Sequence, residues 1–186
     1  YDNDLYERYG RHADVRVPIA LKDKYNRASY PSEMTRKQPF CLFLGSYFPP
    51  NNEGIEWFMQ NVYPFVNIAV KVVGKGMNKL RENYRIPDDV EIISDLPDLE
   101  TYFEEADIRV LPIFSGSGMK VKTCESLMYG KNIIATDEAF VGYNIDYEKV
   151  GAKCNTADEF IRAFEGFIKN PRPRFHLYSR QTYLEK

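Results

Sequence analysis

From Phe40 onward, two hydrophobic patterns take turns along the chain. Short continuous apolar runs, bounded by glycine or polar residues, read as buried strands. They are FCLFLG (40–45), IAVKVVG (68–74), VEIIS (90–94), DIRVLPIF (107–114) and NIIAT (132–136), with VGAKC (150–154) as a candidate sixth. Between them, apolar positions recur at helical spacing. Ile55, Phe58, Met59 and Val62 mark a helix that Asn51 or Asn52 is placed to cap. A short helix is expected over 76–84, and Asp98 is placed to cap another that carries Leu99, Tyr102 and Phe103. A helix over 118–129 should stop at Gly130, and an amphipathic one should run over 157–168. Strand–helix alternation with short joins predicts an α/β, Rossmann-like, doubly wound parallel sheet covered on both faces. Such sheets bind ligands beyond the carboxyl ends of their strands, so the loops after Leu44, Val73, Ile93 and Pro112 carry the functional interest.

Upstream of Phe40 the pattern changes. Residues 1–23 hold a short helical stretch and an apolar run from Val15 to Leu21, and residues 24–39 (KYNRASYPSEMTRKQP) are polar and aperiodic, as a linker is. The chain starts at Tyr1 in an already helix-like segment and ends at Lys186 inside FHLYSRQTYLEK, so a piece of a larger protein is expected.

Charge and cysteine content narrow the class. With 25 basic and 27 acidic residues the net charge is −2, which supplies no basic face for nucleic acid. No apolar run approaches the ~18 residues of a membrane span, and no signal peptide is evident. Cys41, Cys124 and Cys154 are odd in number and far apart, so a reducing, cytoplasmic location is expected rather than a disulfide framework. Zinc is not expected: there is no CxxC pair, and the only histidines are His12 and His176.

The segment from Pro112 to Thr136 concentrates the candidate chemistry. Gly116 and Gly118 allow backbone to approach a ligand closely, and the helix that follows presents its positive end to an anion. Helical spacing puts Gly118, Lys122 and Glu125 on one face, and Val121, Cys124 and Met128 on another facing the sheet. Lys122 can then neutralise a diphosphate, while Glu125, one turn on, can accept from two vicinal hydroxyls such as those of ribose. Lys120 cannot share that face and contributes only from non-helical backbone. A solvated Lys–Glu surface pair is the plain structural alternative. Gly45 and Ser46, after the first strand, can present backbone and hydroxyl to the same phosphate, or simply form a turn. In VVGKGMNK (72–79) Lys79 occupies the third glycine position of a dinucleotide fingerprint, so a tight turn is expected there. The loop Ser94–Pro97 can lay backbone against a flat ring or form a turn. No Ser/His/Asp set and no DxD-type metal motif stands out.

Taken together, LGSYFPPNNEGIEWF, VVGKG and ISDLPDLETYFEEADIRVLPIFSGSGMKVKTCESLMYGKNIIAT resemble the carboxyl-terminal, donor-binding domain of GT-B glycosyltransferases, the group-one, family-four-like enzymes above all. The resemblance covers roughly residues 40–170. It implies a hexosyltransferase-type enzyme that binds a UDP- or GDP-sugar, without metal or other cofactor, in a cleft facing an amino-terminal acceptor domain. It assigns Gly116, Ser117, Gly118, Met119, Lys120 and Lys122 to the diphosphate segment, with the two lysines stabilising the leaving group. Glu125 would hold the ribose, Leu96 and Pro97 the base, and Gly45 and Ser46 the phosphates and the transferred sugar. Residues 1–39 would be a remnant of the other domain plus linker, 40–171 the donor domain, and 172–186 the start of a helix crossing back. Two positions depart from the family pattern. Ser117 stands where a sugar-contacting glutamate is common, and Ser46 and Asn51 stand where an arginine and a lysine are common. The resemblance further implies a saccharide or lipid-linked acceptor, a role in surface polysaccharide assembly, and a full-length enzyme peripheral at the inner face of the membrane. A non-catalytic nucleotide-binding or interaction module is the alternative. A GT-B-fold epimerase would need cleft carboxylates and a histidine, which the sequence does not offer.

Overall fold

The computed structural model describes residues 7–10, 19–25 and 39–185. Six strands form one parallel sheet in the order β3-β2-β1-β4-β5-β6: β1 (Phe40–Leu44), β2 (Ala69–Gly74), β3 (Glu91–Ser94), β4 (Ile108–Leu111), β5 (Asn132–Ala135) and β6 (Gly151–Lys153). The helices are α1 (Pro49–Asn61), α2 (Leu80–Asn83), α3 (Glu100–Glu105), α4 (Val121–Met128), α5 (Tyr147–Val150), α6 (Ala157–Lys169) and α7 (Leu177–Leu184).

The two-residue period of the central strands sorts the core into two layers. Phe43, Val110 and Ile134 point to one face, where Ile55, Phe58 and Met59 of α1 meet Phe160 and Phe164 of α6. Leu111 and Ile133 point to the other, against Cys124 and Leu127 of α4. Leu42 and Leu44 share that second face with Phe103 of α3 and Met128 and Tyr129 at the end of α4. β1, β4 and β5 are buried along their whole length, which is why they read as unbroken apolar runs.

Some element limits differ from the sequence expectation. α1 opens at Pro49, with Phe48 as N-cap and prolines in its first two positions, which need no N–H partner there. Asn52 is therefore inside the first turn, its side chain accepting from the Phe48 N–H at 3.2 Å instead of capping. β4 ends at Leu111, because Pro112 has no N–H to continue the ladder. α4 opens only at Val121, so Gly118 lies in the loop and Val121, 44% exposed, does not face the sheet. Its end is as expected. Gly130 (φ 59°) donates to Leu127 O and Lys131 N–H to Ser126 O, both at 2.9 Å, a Schellman closure.

The strand order positions the site. The chain winds outward from β1 to β3, returns to β4 beside β1, and winds the other way to β6. The loops leaving β1 and β4 thus diverge and open a crevice at the carboxyl edge of the sheet.

Residues 19–25 pack on this domain through α7. The Arg180 guanidinium grips the Asp23 carboxylate with both terminal nitrogens (2.9 and 2.5 Å) and donates to Met128 O at 2.9 Å, and Tyr183 OH donates to Leu21 O at 2.6 Å. Arg180 is 6% exposed. Asp23→Ala would leave that cation without its carboxylate. Because Asp23 is itself partly solvated, the expected cost is about 1–2 kcal/mol, below the figure for a fully buried pair. Thermal unfolding of the variant should come roughly 3–6 °C lower.

Candidate functional site

The loop after β4 is kept out of the following helix by its glycines. Gly116 (φ 143°) and Gly118 (φ 60°) take backbone angles that side chains rarely tolerate, and Ser115 through Ser117 are exposed. Lys120 becomes the N-cap of α4 in extended backbone, and among the described residues no side chain caps the helix; the Thr123 N–H bonds back to Lys120 O at 3.1 Å, leaving those of Val121 and Lys122 at the positive end. That end is fixed from β5's side: Tyr143 OH donates to Lys120 O at 2.7 Å, and the Thr123 hydroxyl to Ala139 O at 2.5 Å.

From the first turn of α4, Lys122 reaches across the crevice to the first turn of α1, just past the loop after β1. Its ammonium donates to the Asn51 side-chain oxygen, and the Asn51 amide donates to Ser46 O at 2.8 Å. A Cβ on Gly45 would stand 3.0 Å from Lys122 Nζ and 3.1 Å from the Asn51 amide nitrogen, so glycine there makes room for the lysine. The ammonium also lies 5.2 Å over the Phe43 ring. Burial pulls the Lys122 pKa down to about 8, with the Arg109 charge adding to the fall and Glu125 opposing it. Lys120 takes a different course. Its ammonium pairs with Glu138 at 2.7 Å and with Gly118 O at 2.8 Å, closing the glycine loop on itself.

Glu125, one turn on from Lys122, lines a cavity of about 370 Å³ with Leu96, Pro97, Leu99, Phe103 and Lys24. Leu96 is half-buried and Pro97 exposed, both on the loop after β3. Asp95 shapes that loop with a left-handed backbone (φ 57°) and accepts from the Gly76 N–H at 3.1 Å. Burial raises the Glu125 carboxyl above its ordinary value, while Arg109, Lys24 and Lys122, in that order, pull it down.

The expected site residues thus fall into three adjoining groups. Glu125, Leu96 and Pro97 share the cavity; Gly45 and Ser46 meet Lys122 at the crevice; Gly116, Ser117, Gly118 and Lys120 form the glycine loop with Glu138. Met119 is turned inward from that loop, against Gly142. The two lysines do not converge on a common partner. Among the described residues no three His, Cys, Asp or Glu side chains gather as they would around a metal ion.

The model of the family "Glycosyl transferases group 1" matches residues 38–170. The chain belongs to the group 1 glycosyl transferases. Solved structures agree on the fold. Sucrose-phosphate synthase from Thermosynechococcus elongatus is 17% identical, with a TM-score of 0.65 over 80% of this chain and 41% of its own. The C-terminal domain of the group 1 family protein LpcC from Francisella tularensis is 14% identical, with a TM-score of 0.59 over 81% of this chain and 86% of its own. HepE from Anabaena, solved in complex with UDP, is 10% identical, with a TM-score of 0.59 over 80% of this chain and 44% of its own. This chain therefore spans less than half the length of the synthase. No curated protein sequence matches it.

Within this group 1 chain, four residues at the site escaped the sequence reading. Asn51, read there as a helix cap and as standing where a lysine is common, is the acceptor for Lys122. Glu138 and Lys24 come from other parts of the chain, and spacing carries no sign of such distant partners. Arg109 left a signal, a charge in the middle of an apolar strand, and it is wholly buried. Of the histidines, His12 lies outside the described residues. His176 caps α7, its N–H donating to Gly130 O just ahead of β5, at the opposite edge of the sheet. Among the described residues no helix is long and apolar enough to cross a membrane.

Proposed function

We propose that this domain binds a nucleoside-diphosphate sugar and presents it for transfer to a saccharide or lipid-linked acceptor. The observation that carries the reading is the placement of one helix. α4 sends Lys122 across the crevice between β1 and β4 while Glu125, one turn on, lines a cavity with Leu96 and Pro97. The diphosphate lies between Gly45–Ser46 and the open N–H groups of α4, the ribose at Glu125, and the base against Leu96 and Pro97. Bond breaking leaves negative charge on the nucleoside diphosphate. Lys122 and the helix end stabilise that charge more in the transition state than in the bound donor. Lys120, held by Glu138, orders the glycine loop and adds positive field beside it. No cofactor beyond the donor takes part.

The acceptor sits on an amino-terminal domain facing the crevice, so the chain as given binds nucleotide weakly and transfers nothing by itself. A hexosyltransferase of surface polysaccharide assembly, acting in the cytoplasm or peripherally at the inner membrane face, is the role this reading favours. A binding module without transfer activity is the second reading; the internal partners of both lysines favour it.

Calorimetric titration with UDP and GDP tests the proposal. One of the two should bind saturably, and Glu125→Ala should weaken it about tenfold, the worth of hydrogen bonds to a charged acceptor. Absence of binding by either nucleotide would sink the donor-site reading.

A further inference from the structure

Arg109 lies in the middle of β4, paired in register with Leu42 of β1 and Ile133 of β5, and no part of it reaches solvent. A branched apolar residue would serve the core better there. Its Nε donates to the Ser126 hydroxyl at 3.3 Å, and the guanidinium lies 4.6 Å over the Phe103 ring. Both terminal nitrogens are buried, and among the described residues neither has a hydrogen-bond partner. A buried, half-satisfied cation in a central strand is costly and calls for a compensating role.

Its position supplies one. Ser126, which anchors Nε, is the neighbour of Glu125 on α4, and Phe103, which the guanidinium covers, lines the same cavity as Glu125. We infer that Arg109 is a positioning residue for Glu125: seated under the Phe103 wall of the cavity, it holds fixed positive charge behind the carboxylate, which accepts from both hydroxyls of a bound ribose. The inference rests on the donor-site reading above. Of the cations acting on Glu125, Arg109 on β4 has the largest effect, ahead of Lys24 from residues 19–25 and Lys122 on α4. Asp98 and Glu100, also on the cavity wall, add like charge, and Tyr129 completes that side. Arg109 suits the task because it stays charged. Burial lowers it only to about 10, and Glu125 resists even that. Without it, burial would drive Glu125 toward its protonated form, in which one oxygen becomes a donor and can no longer accept from a second hydroxyl.

The test takes whichever of UDP and GDP the intact chain binds, UDP here standing for that nucleotide, and compares it with its 2′,3′-dideoxy form from pH 5 to pH 8 by calorimetry. The probes are the intact chain, Arg109→Met, Arg109→Lys and Glu125→Ala. The intact chain should prefer UDP by roughly 10-fold or more at pH 7. Arg109→Met should lose most of that preference at pH 7 and regain it toward pH 8, while Arg109→Lys retains part of it. Carbon-detected NMR titration of the Glu125 carboxyl should show its pKa rising in Arg109→Met. A merely structural arginine would change thermal stability without moving the UDP preference or its pH profile. A preference unchanged in both Arg109 variants but lost in Glu125→Ala overturns the inference and leaves the donor-site reading standing. No preference in the intact chain overturns the ribose role of Glu125 and the inference together. If Arg109→Met does not fold, the Glu125 NMR titration and the UDP preference are both read on Arg109→Lys, and values there equal to those of the intact chain overturn the inference.

Discussion

Lys122→Ala should weaken binding of UDP or GDP by roughly 10- to 100-fold, the range for losing charge-assisted hydrogen bonds to phosphate. The expectation follows from where the ammonium stands. It is half-buried at the crevice between the two diverging loops, 3.0 Å from the Cβ position of Gly45, where partial exclusion of water strengthens its pull on an anion. Thermal stability should hold or rise in the variant, because burial penalises the charged lysine in the folded chain. The pH dependence gives a second signature. Nucleotide affinity of the intact chain should fall as pH rises through about 8, where Lys122 loses its proton, while Arg109, lowered only to about 10, stays charged. The alanine variant should show no such step. For stability the sign is opposite. The unfolded chain holds the proton up to the ordinary lysine value of 10.5, so between about 8 and 10.5 unfolding takes up a proton and stability rises with pH. Calorimetry of binding and thermal melts over pH 7–10 check both; an alanine variant that binds as tightly as the intact chain would remove Lys122 from the site.

Gly54→Ala should destabilise the fold by about 2 kcal/mol or more, against the usual helical preference. In an exposed helix interior, alanine gains about 1 kcal/mol over glycine. Here the added Cβ would stand 2.0 Å from the Pro112 carbonyl oxygen, which belongs to backbone and cannot swing away. α1 must lift from the end of β4, and overpacking of this kind costs roughly 1–3 kcal/mol or more. The steric term outweighs the propensity term. Melting should come about 4–8 °C lower, and nucleotide affinity should drop with it, because Pro112 begins the loop that carries Gly116 and Gly118. A variant as stable as the intact chain would show that α1 and β4 can separate freely.

The alternation of strands and helices was readable because a parallel sheet buried on both faces needs apolar residues at every position of its central strands. Phe40–Leu44 and Asn132–Ala135 meet that demand almost without exception. Limits were harder, since apolar character outlasts hydrogen bonding. PIF after Leu111 looks like strand, yet the ladder stops where Pro112 has no N–H. At α4 the glycines that marked the loop as functional also delayed the helix, which moved Gly118 off the face it was expected to share with Lys122 and Glu125. Helical spacing did separate Lys120 from Lys122. It could not say that Glu138, 18 residues away, would receive Lys120, because that pairing depends on how the turn after β5 returns to the site. Arg109 carries a visible sign of its own, a single charge in an otherwise apolar run.

The site is unevenly tied to the rest of the molecule. Gly45, Lys122 and Glu125 are wired into strands, helix and buried charges. Ser46 and Ser117, which the family resemblance sets nearest the transferred sugar, are exposed loop residues. On the proposed donor-site reading, selection can rewrite sugar preference through those serines at little cost to folding, whereas nearly every change of nucleotide preference must first survive a loss of stability. On the same reading, a lineage built on this domain would diversify in its sugar long before it exchanged its nucleotide.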